Sequence, residues 1–550
     1  MRWQRIILAV GCLIGLAGAP LAAQDAPPRR AEPPAAPVVM TPLPERAVIA
    51  PQVDCATMAG RAFADVKEGP AKILSAAIEP TAGARAEFCL LKGYVAPTIQ
   101  FELRLPTKSY TGRYLQGGCG GNCGRIMSAF VAPRCDTAQA MSGAFAVGFE
   151  DSGHVGGDGV WALGGDQVRI DFAYRAAHAF SAAAKAIIAA YYGQSPAYSY
   201  FQGCSDGGRE ALVEAQRYPN DFNGIVAGAA PNLITEAMER FLWEARWGTD
   251  AKGKPLFDGA SAARLHGAVL QACDGLDGLK DGQIDDPRAC HFDPAAIQCG
   301  AAKASTEGCL SPQLVVVARR FYQGPVDAAG KHLYPGGEPY GSELSWNGPI
   351  ALAGAGHAMF EDNVRSMIFQ RSLPADITLA TWKWDAATLH ALAQHGALFD
   401  ADDPDLRRLR DAGGKMLIWY GVADSAAGAD SLPDYYQRVR DAVGGLQAAR
   451  GFVRMFPVPG VYHCGAGYVP YQANMLGAIV AWVEQGKATD SVTASALLPD
   501  GKIRTRPIYA YPIRAVYRGQ GDINAAASFV PRNPAHEPDD HYDWLGAAAR

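Results

Sequence analysis

The segment Gly203-Cys-Ser-Asp-Gly207 centres a serine in a G-x-S-x-G pattern. The run Tyr198-Ser-Tyr-Phe201 before it reads as a strand, and Arg209 to Arg217 after it reads as a helix. A serine on so sharp a strand-to-helix turn has its hydroxyl lifted above the sheet edge, where it can attack a carbonyl. The hydroxyl needs a base, and the base needs a carboxylate to orient it. On α/β-hydrolase frames the three follow in the order serine, acid, histidine. Asp424 lies just past the apolar strand Lys415-Met-Leu-Ile-Trp-Tyr420, after the loop Gly421-Val-Ala. His463 lies in Val461-Tyr-His-Cys-Gly465, after the strand-like Arg454-Met-Phe-Pro-Val458. Of the 11 histidines, His463 alone combines a strand-end position with the required order. Ser205, His463 and Asp424 are therefore expected to act as nucleophile, general base and orienting acid. Cys204 immediately precedes the serine, and Cys464 immediately follows the histidine. A bridge between them needs Cα atoms roughly 4.4–6.8 Å apart, so it would draw the two loops together.

The elements that must position these residues alternate strand and helix. Phe101–Leu105 alternates apolar and polar residues as a half-buried strand does. Tyr114-Leu-Gln116 runs into the glycine-rich Gly117-Gly-Cys-Gly-Gly121, Ala144–Phe149 and Gly224–Gly228 read as short buried strands, and Phe172–Tyr192 and Met475–Glu484 carry helical apolar spacing. The alternation predicts an α/β-hydrolase core with a doubly wound sheet. It lapses between about residues 235 and 405, where irregular Gly-, Pro-, Cys- and Trp-rich sequence predicts a large inserted lid domain. The expected organisation is a core in two parts, 53–234 and 405–550, around a lid at 235–404.

The 550 residues are 49% hydrophobic and 19% charged, enough apolar sequence for a sizeable core. A net charge of -5 gives no basic surface for nucleic acid or an anionic membrane. Residues 1–23 read as a secretory signal: Arg2 and Arg5, an apolar run from Ile6 to Gly18, then the small residues of Pro20-Leu-Ala-Ala23. That run is shorter than the ~20 residues that span a bilayer. Residues 24–52 are Pro- and Ala-rich and read as a linker. The expected location is secreted or periplasmic, where the Cys remaining once Cys12 leaves with the signal read first as disulfides.

The chain resembles the tannase/feruloyl esterase family of secreted α/β hydrolases, which includes enzymes that cleave mono(2-hydroxyethyl) terephthalate. The resemblance rests on Tyr200-Phe-Gln-Gly-Cys-Ser-Asp-Gly-Gly-Arg-Glu210, Ala215–Gly228, Asp171–His178, Pro335–Trp346 and Tyr462-His-Cys-Gly465, and covers nearly everything beyond residue 55. It implies a serine carboxylesterase acting on small esters of aromatic acids, of hydroxybenzoic, hydroxycinnamic or terephthalic type. A catalytically silent scaffold that only binds, or a peptidase on the same fold, is the alternative. An oxyanion needs preorganised N–H donors. The backbone of Asp206 is expected to supply one, and Gly118 or Cys119 the other. The acidic, glycine-interleaved run from Cys273 to Cys290 suits a hard cation bound by oxygens. The resemblance assigns structural Ca²⁺ there, on the side chains of Asp274, Asp277 and Asp281 and the carbonyls of Leu279 and Gln283, with Asp285 as a further candidate. Expected pairings are Cys55–Cys89, Cys204–Cys464, Cys273–Cys290 and Cys299–Cys309. Cys119, Cys123 and Cys135 can form one bridge at most, for which Cys123–Cys135 is the choice, leaving one thiol near the site. Where the family often has a further C-terminal bridge, Tyr509 and Pro531 stand instead. Substrate recognition is expected from lid aromatics such as Trp243, Trp346, Phe360 and Trp382, with Arg365, Arg371 and Lys383 as candidates for a substrate carboxylate or phenol.

Overall fold

In a computed structural model of the chain, the residues described are 39–83, 85–127, 134–300, 308–346, 352–465 and 469–547. The expected signal at 1–23, Cys12 and the first part of the linker lie outside them. The rest of the linker is not free. Ile49 and Gln52 donate backbone hydrogen bonds to Tyr110 and Tyr191, and Pro44 accepts one from Arg113. Pro44 and the residues around Ile49 and Gln52 thus lie along the core.

One ten-stranded sheet carries the fold. Its strands are β1 (Ala62–Phe63), β2 (Ala71–Glu79), β3 (Phe88–Val95), β4 (Ile99–Pro106), β5 (Arg113–Gly117), β6 (Phe145–Glu150), β7 (Tyr198–Cys204), β8 (Gly224–Gly228), β9 (Lys415–Gly421) and β10 (Val453–Val458), in the spatial order 1-2-3-4-6-5-7-8-9-10. Strands β1 to β4 form an antiparallel meander that joins β6, and from β6 to β10 all pairs are parallel. The parallel strands are mostly apolar and buried along almost their whole length, as expected of strands covered on both faces. Helices α1 (Ala176–Tyr192) and α2 (Asp206–Arg217) follow β6 and β7 in the chain. Phe180 of α1 stacks on Phe101 of β4 at 5.1 Å, joining helix to sheet.

Strands β8 and β9 are neighbours in register, Gly224 opposite Lys415, yet 186 residues separate Gly228 from Lys415. That excursion holds α3 (Ala237–Gly248), α4 (Gly259–Cys273), α5 (Pro312–Gln323) and long irregular segments. Its interior has its own aromatic clusters: Trp346 packs edge-on to Phe257 and Phe321, and Phe360 to Trp382. A last helix, α6 (Met475–Gln485), returns to the sheet, and β11 (Gln472–Ala473), β12 (Ser491–Leu497) and β13 (Ile503–Tyr509) make a small antiparallel sheet. The hairpin β14 (Arg514–Tyr517) and β15 (Phe529–Arg532) follows. Neither of these C-terminal sheets was read from the sequence, where their short strands lack clear alternation. Among the described residues no helix is long and apolar enough to cross a membrane.

Candidate active site

Ser205 sits between β7 and α2 with φ 63° and ψ −127°, a left-handed conformation rare for a residue with a side chain. The surrounding backbone enforces it. Ser205 N–H donates to Gly228 O at 3.0 Å, and Gly207 N–H to Cys119 O at 3.0 Å. Gly203 and Gly207 pass so closely that a Cβ on Gly203 would lie 2.3 Å from Gly207 O, so neither side of the turn tolerates a side chain. This tight crossing explains the glycines of the motif and holds the serine in its strained position.

His463 faces the serine, its Nε2 2.8 Å from Ser205 Oγ. On the other edge of the ring, Nδ1 lies 2.9 Å from Asp424 Oδ2. Asp424 is 1% exposed, and its Oδ1 accepts the N–H groups of Ala426 and Ala427 at 2.7 and 3.0 Å. Burial acts to raise the Asp424 pKa, but the neighbouring His463 and these two N–H groups outweigh it and hold the carboxyl below its ordinary range. The arrangement can pass a proton from the serine to the imidazole and stabilise the imidazolium that forms. The Cys204–Cys464 disulfide spans 260 positions with Cα atoms 5.9 Å apart, and it clamps the two loops at this contact.

The inserted segment braces the acid loop. Arg240 on α3 donates to Ser425 O at 2.6 Å and Ala426 O at 3.0 Å, and pairs with Glu338 at 3.1 Å. Sequence reasoning missed this residue, since an arginine inside a helical pattern signals nothing by type.

Two expectations at the oxyanion loop need correction. The Gly118 N–H still belongs to the β5–β7 ladder and donates to Gln202 O at 3.0 Å. The Cys119 N–H points the same way, to Glu210 Oε2 of α2 at 2.9 Å. Neither is directed at an incoming oxygen, whereas Asp206 N–H opens α2 and, like that of Gly120, has no hydrogen-bond acceptor among the described residues. Glu210 was also missed. Burial and the nearby Asp206 push its carboxyl up to about 7. The second correction concerns Cys123, which pairs with Cys119 and not with Cys135. A turn closed by Cys123 N–H on Gly120 O brings the two Cα atoms to 5.4 Å. Cys135 lies in the helix Arg134–Ala140, and its side chain is outside the described residues. Cys55–Cys89, Cys273–Cys290 and Cys299–Cys309 are paired.

In the loop between Cys273 and Cys290, Asp274 accepts the N–H groups of Asp281, Gly282 and Gln283. Asp281 pairs with Arg506, yet its Oδ1 and the Gln283 Oε1 are buried without a partner. Burial raises Asp277 and Asp281, and burial beside Asp277 lifts Asp285 to about 7. Carboxylates gathered in a partly buried loop, with oxygens left over, fit a hard cation. Of the candidate specificity residues, Trp243, Trp346 and Trp382 donate their ring N–H within the protein. Arg365 is spent on the carbonyls of Leu373, Pro374 and Ile377 and on Glu361. Neither Arg371 nor Lys383 hydrogen-bonds to Ser205 among the described residues.

A serine on a strained β7–α2 turn, faced by a carboxylate-backed histidine on a mostly parallel sheet, defines an α/β hydrolase. Residues 87–531 match the tannase and feruloyl esterase family. The chain is 34% identical over 532 residues to mono(2-hydroxyethyl) terephthalate hydrolase of Piscinibacter sakaiensis, covering 82% of this chain and 86% of that one. It is 32% identical over 452 residues to a probable feruloyl esterase B-1 of Aspergillus oryzae, covering 77% and 79%. The crystal structure of feruloyl esterase B from Aspergillus oryzae superposes with a TM-score of 0.73 at 28% identity, over 84% of this chain and 97% of that one. The chain belongs to the tannase and feruloyl esterase family and is a carboxylic ester hydrolase.

Proposed function

We propose that this protein is an exported serine esterase that hydrolyses small esters of aromatic carboxylic acids through an acyl-enzyme on Ser205. The observation that carries the reading is the unbroken relay from Ser205 Oγ through His463 to buried Asp424, at 2.8 and 2.9 Å. Ser205 Oγ attacks the ester carbonyl carbon as its proton passes to His463 Nε2. The carbonyl oxygen becomes an oxyanion, held by the N–H groups of Asp206 and Gly120. Collapse breaks the ester C–O bond, and the alcohol leaves with the proton from His463. Water then attacks the acyl-serine, giving its proton to His463, and the second collapse returns that proton to Ser205 and frees the acid.

The aromatic acyl preference is supported by relatives whose names specify feruloyl and terephthalate esters. Export is supported by the five disulfides among the described residues, since such bonds persist in oxidising compartments. A calcium ion would be held by Asp274, Asp277 and Asp281 with the carbonyls of Leu279 and Gln283, and Asp285 beside them. When bound it supplies positive charge that lets these crowded carboxylates ionise together and ties the loop closed.

The test uses methyl ferulate, methyl gallate, mono(2-hydroxyethyl) terephthalate and a p-nitrophenyl ester, with wild type and Ser205→Ala. Turnover of at least one of the three aromatic-acid esters and its loss in the variant, at unchanged circular dichroism, is the expected result. Wild-type turnover by Ser205→Ala overturns the assignment. Cleavage of the p-nitrophenyl ester with none of the three aromatic-acid esters overturns the acyl preference alone.

A further inference from the structure

A cavity of about 500 Å³ lies where the inserted segment, the core and the C-terminal strands meet, and neither Ser205 nor His463 lines it. Its volume falls within the usual range for small-molecule sites. Tyr420 and Val422 enter the loop that carries Asp424, Ala429 and Asp430 leave it, and all four line this cavity. Tyr420 is only 6% exposed, yet no hydrogen bond engages its phenol among the described residues. The Asp430 carboxylate likewise has neither a hydrogen bond nor an ion pair there.

The cationic groups of the wall are already committed. Arg288 pairs with Asp286 and Asp540, Arg514 with Asp286, and Arg506 with Asp281. An anionic ligand would therefore have to displace existing ion pairs. Among the polar groups left available are the Asp430 carboxylate, which accepts hydrogen bonds, and the Tyr420 phenol, which both donates and accepts. The same wall carries the rings of Tyr509 and Tyr511 and the prolines Pro457 and Pro507. Hydroxyl partners set among flat apolar faces suit a neutral polyhydroxy ligand, whose C–H faces pack on rings while its hydroxyls bond the polar groups.

The geometry points to a second, non-catalytic binding site for a neutral saccharide, bonded by Asp430 and Tyr420. Because these two residues bracket the Asp424 loop, an occupant would bridge the inserted segment to the catalytic side of the core. The site does not depend on the esterase reading, since none of the three relay residues lines it.

Isothermal titration of the full chain with xylobiose tests it, in wild type, Ser205→Ala, Tyr420→Phe and Asp430→Asn. Saturable binding is expected in wild type and Ser205→Ala alike. Binding weakens about three- to tenfold in Tyr420→Phe and about tenfold or more in Asp430→Asn, while both retain p-nitrophenyl ester turnover within about twofold of wild type. Absence of saturable binding overturns the proposal, as does binding that neither cavity variant weakens. Benzylamine binding that depends on Asp430, with none for xylobiose, also overturns it by making the site one for organic cations.

Discussion

Two structures approach Ser205 from opposite sides, and they are held by different physics. The histidine loop is fixed covalently, through Cys204–Cys464 across 260 positions. The oxyanion loop also contains a disulfide, but Cys119–Cys123 spans only four positions and cannot tie the loop to anything outside itself. What anchors that loop is the carboxylate of Glu210, which takes the Cys119 N–H at 2.9 Å, together with the Gly207 N–H on Cys119 O. Both anchors end on the first turns of α2, so a single helix registers nucleophile, base and oxyanion loop together. The difference is that the covalent arm is indifferent to pH, while the other depends on a buried acid shifted to about 7.

The largest effect should come from the covalently held arm. Asp424→Asn leaves the geometry in place but favours the wrong imidazole tautomer, and kcat should fall about 10⁴-fold. A loss under tenfold, measured on a p-nitrophenyl ester, would mean that Asp424 does not orient His463. Next, replacing Cys204 and Cys464 together by serine should lower unfolding stability by about 2–5 kcal/mol. Denaturant titration of the double variant checks this. An unchanged midpoint would show that packing, and not the bridge, joins the two loops.

The same contrast decided what the sequence could disclose. Ser205, Asp424 and His463 were legible because each sits in or just past a short apolar strand, and because a cysteine marks two of them. The parallel strands were legible for the same reason, as apolar runs between glycine turns. The oxyanion loop was legible only as glycines. Which N–H faces outward depends on where the β5–β7 ladder stops, and the ladder runs one residue further than the motif suggests, through Gly118. Glu210 lay in plain view inside the family-like stretch, but nothing in its type says that it reaches back 91 positions to a backbone N–H. Arg240 escaped similarly. Polar side chains that act over long sequence distances leave no periodicity to read.

A smaller effect is expected at the second arm. Glu210→Gln keeps an oxygen for the Cys119 N–H but removes the charge, and it should reduce kcat about 10- to 100-fold with KM changed less than about twofold. Losing a whole oxyanion donor costs about 10²–10³, so a loop merely loosened should lose less. The variant should also shift the alkaline or acid limb of the pH–rate profile near 7, which a purely structural defect would not do. Equal rises in KM and falls in kcat across all pH values would make Glu210 a packing residue only.

The inserted segment offers the mildest version of the same comparison. Glu239 on α3 is fully buried; Trp382 Nε1 donates to its Oε2 at 3.2 Å, and its Oε1 has no partner. Burial, only partly offset by the Trp382 bond, lifts this carboxyl from 4.5 to about 8. The folded protein therefore keeps a proton here that the unfolded chain releases above about 4.5. Stability from this group is fully present below that pH and falls as pH rises towards about 8, by roughly 1.4 kcal/mol per pH unit within the window. Glu239→Gln carries no titrating proton, so its stability should fall less steeply between pH 5 and 8 than that of wild type, as measured by urea titrations across the range. If the two curves run parallel, Glu239 is ionised in the folded protein and an unseen partner holds its charge. If they converge at low pH and part at high pH, with the variant the more stable at pH 8, the insertion is held by an acid that folds best when protonated.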